Sequence, residues 1–156
     1  MKPKVLLAVV ALSYAPLGVA GNKAEYPTEK VAEFVIEKLD VTSLPPAFRP
    51  KKEKGKKTFE DYGFTAQTVG ENEAVIEAAG GVSRLSIKVL DLTSSGIYVC
   101  VAEPGEKGGP AKTQSAILLQ RKDANTLLLG RESWREFAAC AAIGGSDSTA
   151  NSYGGD

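Results

Sequence analysis

Between Thr58 and Lys122 the chain alternates short apolar runs with turn residues, so closely that consecutive runs have no room to cross over. Phe59, Tyr62, Phe64 and Val69 mark a first run, interrupted at Gly63, and Gly70-Glu71-Asn72 is a turn. Ala74 to Ala79 is a second run around Val75 and Ile76, ended by Gly80-Gly81. Val82, Leu85, Ile87 and Val89 partly alternate to about Leu92, and Thr93 to Gly96 turns the chain back. Ile97 to Ala102 is apolar throughout, the pattern of a central strand buried on both faces. A polar stretch with Pro104, Gly105, Gly108, Gly109 and Pro110 follows, and Lys112 to Lys122 returns with Ala116, Ile117, Leu118 and Leu119. Parallel strands need a crossover of a dozen or more residues, so this spacing predicts an antiparallel meander of about five strands.

Helical periodicity flanks the meander. Val31, Phe34, Val35 and Leu39 form a stripe at helical spacing opposite Glu29, Lys30, Glu33, Glu37 and Lys38. Thr28 after Pro27 is a fitting N-cap, which predicts an amphipathic helix over 28–39. Asp123 to Gly130, with Leu127 to Leu129, reads as a turn or a short helix. Ser133 and Glu136 then form a capping box. Trp134, Phe137, Ala138 and Ala141 fall at i, i+3, i+4 and i+7, one face of a second helix that ends near Gly144-Gly145. The expected fold is α+β: an antiparallel sheet of four or five strands with the Val31–Leu39 and Trp134–Cys140 helices packed on it. At 156 residues the chain holds one domain, placed at 21–143, and a Gly-, Ser- and Asp-rich tail at 144–156 expected to be disordered.

Leu85-x-Ile87 and Leu90, then Ser94 to Cys100, resemble the end of an immunoglobulin domain. There L-x-I precedes D-x-G-x-Y-x-C, with a tyrosine two residues before the cysteine. The resemblance implies an immunoglobulin-like β-sandwich as the alternative architecture. The chain departs from that pattern in Ser94, which stands where the aspartate belongs, and in having no cysteine before Cys100 and no tryptophan in its first half. A helix and a proline-rich loop also occupy the place of the early strands.

The N-terminus addresses the compartment. Lys2 and Lys4 precede an apolar or small run from Val5 to Ala20, broken by Pro16 and Gly18, with small residues before a cut at Ala20–Gly21. This is the pattern of a secretory signal peptide over 1–20, too short for the roughly 20 residues of a spanning helix. Export to the periplasm or the medium is the expectation, with no membrane span left after cleavage. In such an oxidising space the two cysteines, Cys100 and Cys140, are expected to pair. Closing that loop stabilises the fold by about 4 kcal/mol in the chain-entropy account.

Chemistry has few carriers. Histidine is absent (0 residues), which removes the commonest general base and metal ligand. No P-loop, G-x-G-x-x-G, G-x-S-x-G or S-x-x-K is present, so neither a cofactor nor a metal site is expected. Adjacent Glu60 and Asp61, and Glu103 near the sheet edge, are the acids a small carboxylate-based hydrolase would use. Glu132 and Glu136 read instead as helix-start charges.

The one concentrated feature is the run Arg49, Lys51, Lys52, Lys54, Lys56 and Lys57 around a single acid, Glu53. Pro45, Pro46 and Pro50 keep this segment out of helix and central strand. It carries six cations against one acid, while removal of Lys2 and Lys4 leaves the exported chain with 17 basic and 19 acidic residues. A balanced chain argues against a nucleic-acid binder, and Phe48 and Phe59 only flank the run rather than interleave with it. The expected function is non-catalytic: an exported binding or inhibitor-like protein that meets an acidic protein or glycan through residues 49–57, with Glu103–Ala111 as a second contact loop. The competing readings are the hydrolase and a sheet-and-helix cup for an apolar molecule.

Overall fold

The computed structural model describes residues 25–81, 83–105 and 111–141. The expected leader over 1–20, the expected tail over 144–156 and the centre of the second contact loop lie outside the described residues. Helix α1 spans Val31–Lys38. The strands are β1 (Leu39–Asp40), β2 (Phe64–Val69), β3 (Glu73–Ala78), β4 (Arg84–Thr93), β5 (Gly96–Glu103), β6 (Thr113–Gln120) and β7 (Leu128–Glu132). They form one sheet of seven strands in the order β1-β7-β6-β5-β4-β3-β2. From β2 to β7 each strand pairs antiparallel with the next in sequence. β1 instead pairs parallel with β7, Leu39 opposite Leu128 and Asp40 opposite Leu129.

This corrects the expected architecture. The protein is mostly sheet, curled into a half-barrel, with a single short helix among the described residues, rather than four or five antiparallel strands under two helices. A single sheet likewise replaces the immunoglobulin-like sandwich. The helix expected over Trp134–Cys140 does not form. The segment bends at Trp134 and Arg135 and makes only a one-turn 3-10 helix, Ala138–Cys140, and Trp134 stands 84% exposed rather than on a buried stripe. Helices this short are marginal without tertiary burial; here Phe137 and Cys140 reach the sheet from an irregular strap while Trp134 faces outward.

Sequence alternation explains which face is the core. Ile76 on β3, Leu85 and Ile87 on β4, Ile97, Val99 and Val101 on β5, and Ile117 and Leu119 on β6 share one face. Val31 and Val35 of α1, then Leu39, Val41 and Leu44, fill the space against it. Helix α1 starts at Val31 rather than Thr28. Lys30 precedes it in the left-handed region (φ 51°), no side chain caps it, and Ala32 N–H donates instead to the Glu71 carbonyl at 3.1 Å. It ends where Leu39 turns extended to join β7. Asp40, 7% exposed, accepts from Thr42 N–H and Oγ1, and Ser43 Oγ accepts from Gly130 N–H at 2.7 Å, which locks this corner to β7.

β5 is the middle strand and is buried on both faces. Its start requires a glycine: a Cβ on Gly96 would lie 2.5 Å from the Leu119 carbonyl oxygen. The side of β5 away from the core carries Tyr98, Cys100 and Ala102, and the strap 133–141 covers it. Cys140 is bonded to Cys100, with Cα atoms 5.6 Å apart, as expected from the sequence. Phe137 packs on Tyr98 with ring centroids 5.3 Å apart, and Arg135 lies over both rings while pairing with Asp91. Among the described residues no helix is long and apolar enough to cross a membrane.

Candidate functional site

The proline-rich segment after Leu44 cannot enter the sheet, yet it is anchored at both ends. Phe48 and Phe59, 5% and 2% exposed, sink into the core on either side of the basic run. The two aromatic residues that flank the cations in sequence are therefore the loop's fixings. Val41 N–H donates to the Lys57 carbonyl at 2.8 Å, which ties the returning limb to the corner after β1.

Residues 58–63 form a turn, not the start of the expected strand, which begins only at Phe64. In that turn Asp61 accepts from Lys57 N–H and Thr58 N–H, both at 2.8 Å, and donates its own N–H to Thr58 Oγ1 at 3.2 Å. The Thr58 and Lys57 amides hold the Asp61 carboxyl below the usual carboxylate range. Tyr62 OH accepts from Glu53 N–H at 3.1 Å, so the tip is tied to the turn. Lys56 pairs with Glu53 at 2.8 Å and sits 5.5 Å above the Tyr62 ring. That hydrogen bond to Glu53 raises the Lys56 pKa.

The single acid of the run is thus occupied by one lysine. Arg49, Lys51, Lys52, Lys54 and Lys57 are all exposed and make no ion pair among the described residues. The result is a braced loop whose unpaired charge is carried on its outer surface.

Beside it lies an open-sided cleft of about 310 Å³. Arg49, Pro50, Tyr62 and Phe64 line it, with the buried Phe48 and Leu85 beneath. Ser83 and Glu103 contribute polar groups from the ends of the strands. One Glu103 oxygen is 4.0 Å from Lys112 Nζ, and Lys112 N–H donates to the Glu103 carbonyl at 2.9 Å, which closes the described ends of the second contact loop. Sequence reasoning reached Arg49 and Glu103 separately and missed their sharing of a cleft with Tyr62.

The acids weighed for catalysis are dispersed in role. Glu60 is exposed, Asp61 is engaged by the backbone, and Glu103 lines the cleft beside Arg49. Glu132 and Glu136 do not open a helix; Ser133 Oγ accepts from Arg135 N–H in a local turn instead. Among the described residues no three His, Cys, Asp or Glu side chains gather as a metal site requires.

A curled sheet wrapped on one helix, carrying a braced cationic loop, is the class of domain these features define. Comparison with known proteins finds no family model, no curated protein and no solved structure that matches the chain.

Proposed function

We propose that the protein is an exported, non-catalytic binding protein that holds an anionic partner, an acidic protein or an acidic glycan, on residues 49–57. The observation that carries this reading is the five exposed cations, Arg49, Lys51, Lys52, Lys54 and Lys57, without an internal acid, on a loop fixed by Phe48, Phe59, Asp61 and Tyr62. Charges held together repel one another, and an anion relieves that repulsion. Fixing the loop in advance lowers the ordering cost of binding. Export is supported by the leader pattern and by a disulfide that persists best in an oxidising compartment.

The test is binding to a polyanion across a salt series. Native protein should bind with an affinity that falls steeply as salt rises. Lys51→Glu, Lys52→Glu and Lys54→Glu combined should abolish that binding while the melting transition stays in place; unchanged binding overturns the reading. The exported chain isolated from its compartment should begin at Gly21 by mass spectrometry.

A further inference from the structure

We propose that the cleft beside the basic loop binds a uronic acid unit of an acidic polysaccharide, with the sugar carboxylate on Arg49 and a sugar hydroxyl on Glu103. This deepens the reading above and rests on it. At about 310 Å³ the cleft takes one ring-sized group, not a folded partner. Tyr62 and Phe64, half-buried on the cleft lining, offer apolar surface to the C–H face of a pyranose. Arg49 presents an unpaired planar guanidinium, whose paired N–H donors match a carboxylate.

Glu103 decides between ligand classes. Its carboxylate is only 45% exposed and only loosely paired with Lys112, so it retains acceptor capacity facing the same cleft as Arg49. It repels a second carboxylate that enters without hydroxyls, and it accepts from a sugar O–H. An acidic peptide brings side-chain carboxylates without hydroxyls. An extended peptide would also need an open strand edge for its backbone, whereas this cleft sits at the strand ends marked by Ala78 and Glu103. A uronic acid carries carboxylate, hydroxyls and an apolar ring face together. Lys51, Lys52 and Lys54 follow Arg49 and Pro50 in the chain and are exposed, so they add cationic charge for the acids of neighbouring units.

The experiment is calorimetric titration of the disulfide-bonded protein with a short oligomer of galacturonic acid, its neutral methyl ester, and polyglutamate of matched charge. The oligouronate should bind at least about tenfold more tightly than either, since the methyl ester loses the charge-assisted bond to Arg49 and polyglutamate loses the hydroxyl contact to Glu103. Arg49→Ala should weaken the oligouronate by about tenfold or more, and Arg49→Lys should restore only part. Glu103→Ala should weaken the oligouronate yet leave polyglutamate unchanged or tighter, an opposite sign that general damage would not produce.

Polyglutamate binding as tightly as the oligouronate, or Arg49→Ala without effect, overturns the cleft proposal. Loss of binding in the triple lysine variant would then still support the loop reading. If that variant also binds every polyanion unchanged, both fall.

Discussion

Two irregular segments lie on opposite faces of this sheet. Residues 49–63 share the α1 side and are fixed by burying Phe48 and Phe59, with Asp61 and Tyr62 bracing the turn. Residues 133–141 cross the other face and bury little of their own: Trp134, Arg135, Glu136, Ala138 and Ala139 are exposed, and Cys140 is the one buried residue. A covalent bond and a stacked guanidinium hold the strap where apolar anchors hold the loop. The loop's order is thus built into the core, and the strap is held by a bond that a reductant would break.

The largest expected effect falls on the loop's anchor. Phe59→Ala should cost about 3–5 kcal/mol in denaturant unfolding, as a buried aromatic truncation does, and should speed amide exchange across 49–63. A loss below about 1 kcal/mol would show that the loop is not core-anchored. Removing the disulfide with Cys100→Ser and Cys140→Ser should cost about 2–4 kcal/mol. It should free amides in 133–141 and leave those of 49–63 protected; equal loosening of both would erase the contrast.

Arg135→Ala should cost no more than about 1 kcal/mol in the oxidised protein, because the cation is partly exposed. The same change should free the strap further once the disulfide is reduced. The smallest effect is in pH. The Asp61 pKa is lowered, so its tie to Lys57 and Thr58 is fully present above the unfolded carboxylate value of about 3.9 and is lost as pH falls through the folded value below it. Titration of those two amides by NMR should show a low-pH step that Asp61→Asn removes.

Much of the meander was legible because strands announce themselves by alternation and by the turns between them. The Cys100 run reads as a central strand, and β5 is one. β7 was hidden: of Leu128 and Leu129 only the first is buried, so the apolar triplet shows no alternation of its own. Its Gly130 reads as a turn residue, yet a Cβ there would press Ile117 at 3.2 Å. β1, two residues long, owes its existence to a partner far along the chain. The strap imitates a helix because Trp134, Phe137 and Ala141 carry the right spacing for reasons unrelated to helical packing.

The cations of the loop are plain in sequence. Their cleft is not, since Arg49, Tyr62, Ser83 and Glu103 come from separate stretches that only the curled sheet gathers.

Leu39 and Asp40 are made before strands β2 to β6, and their mates Leu128 and Leu129 after them. Such distant pairing is slow to form, since the loop between must be closed before the contact rewards it. The sheet therefore cannot be completed at the β1 side while β7 is still being made. Cys140 comes later still, so the sulfur bridge cannot form until all seven strands have been made, and a chain truncated before Leu128 would leave the β6 and β1 edges unpaired.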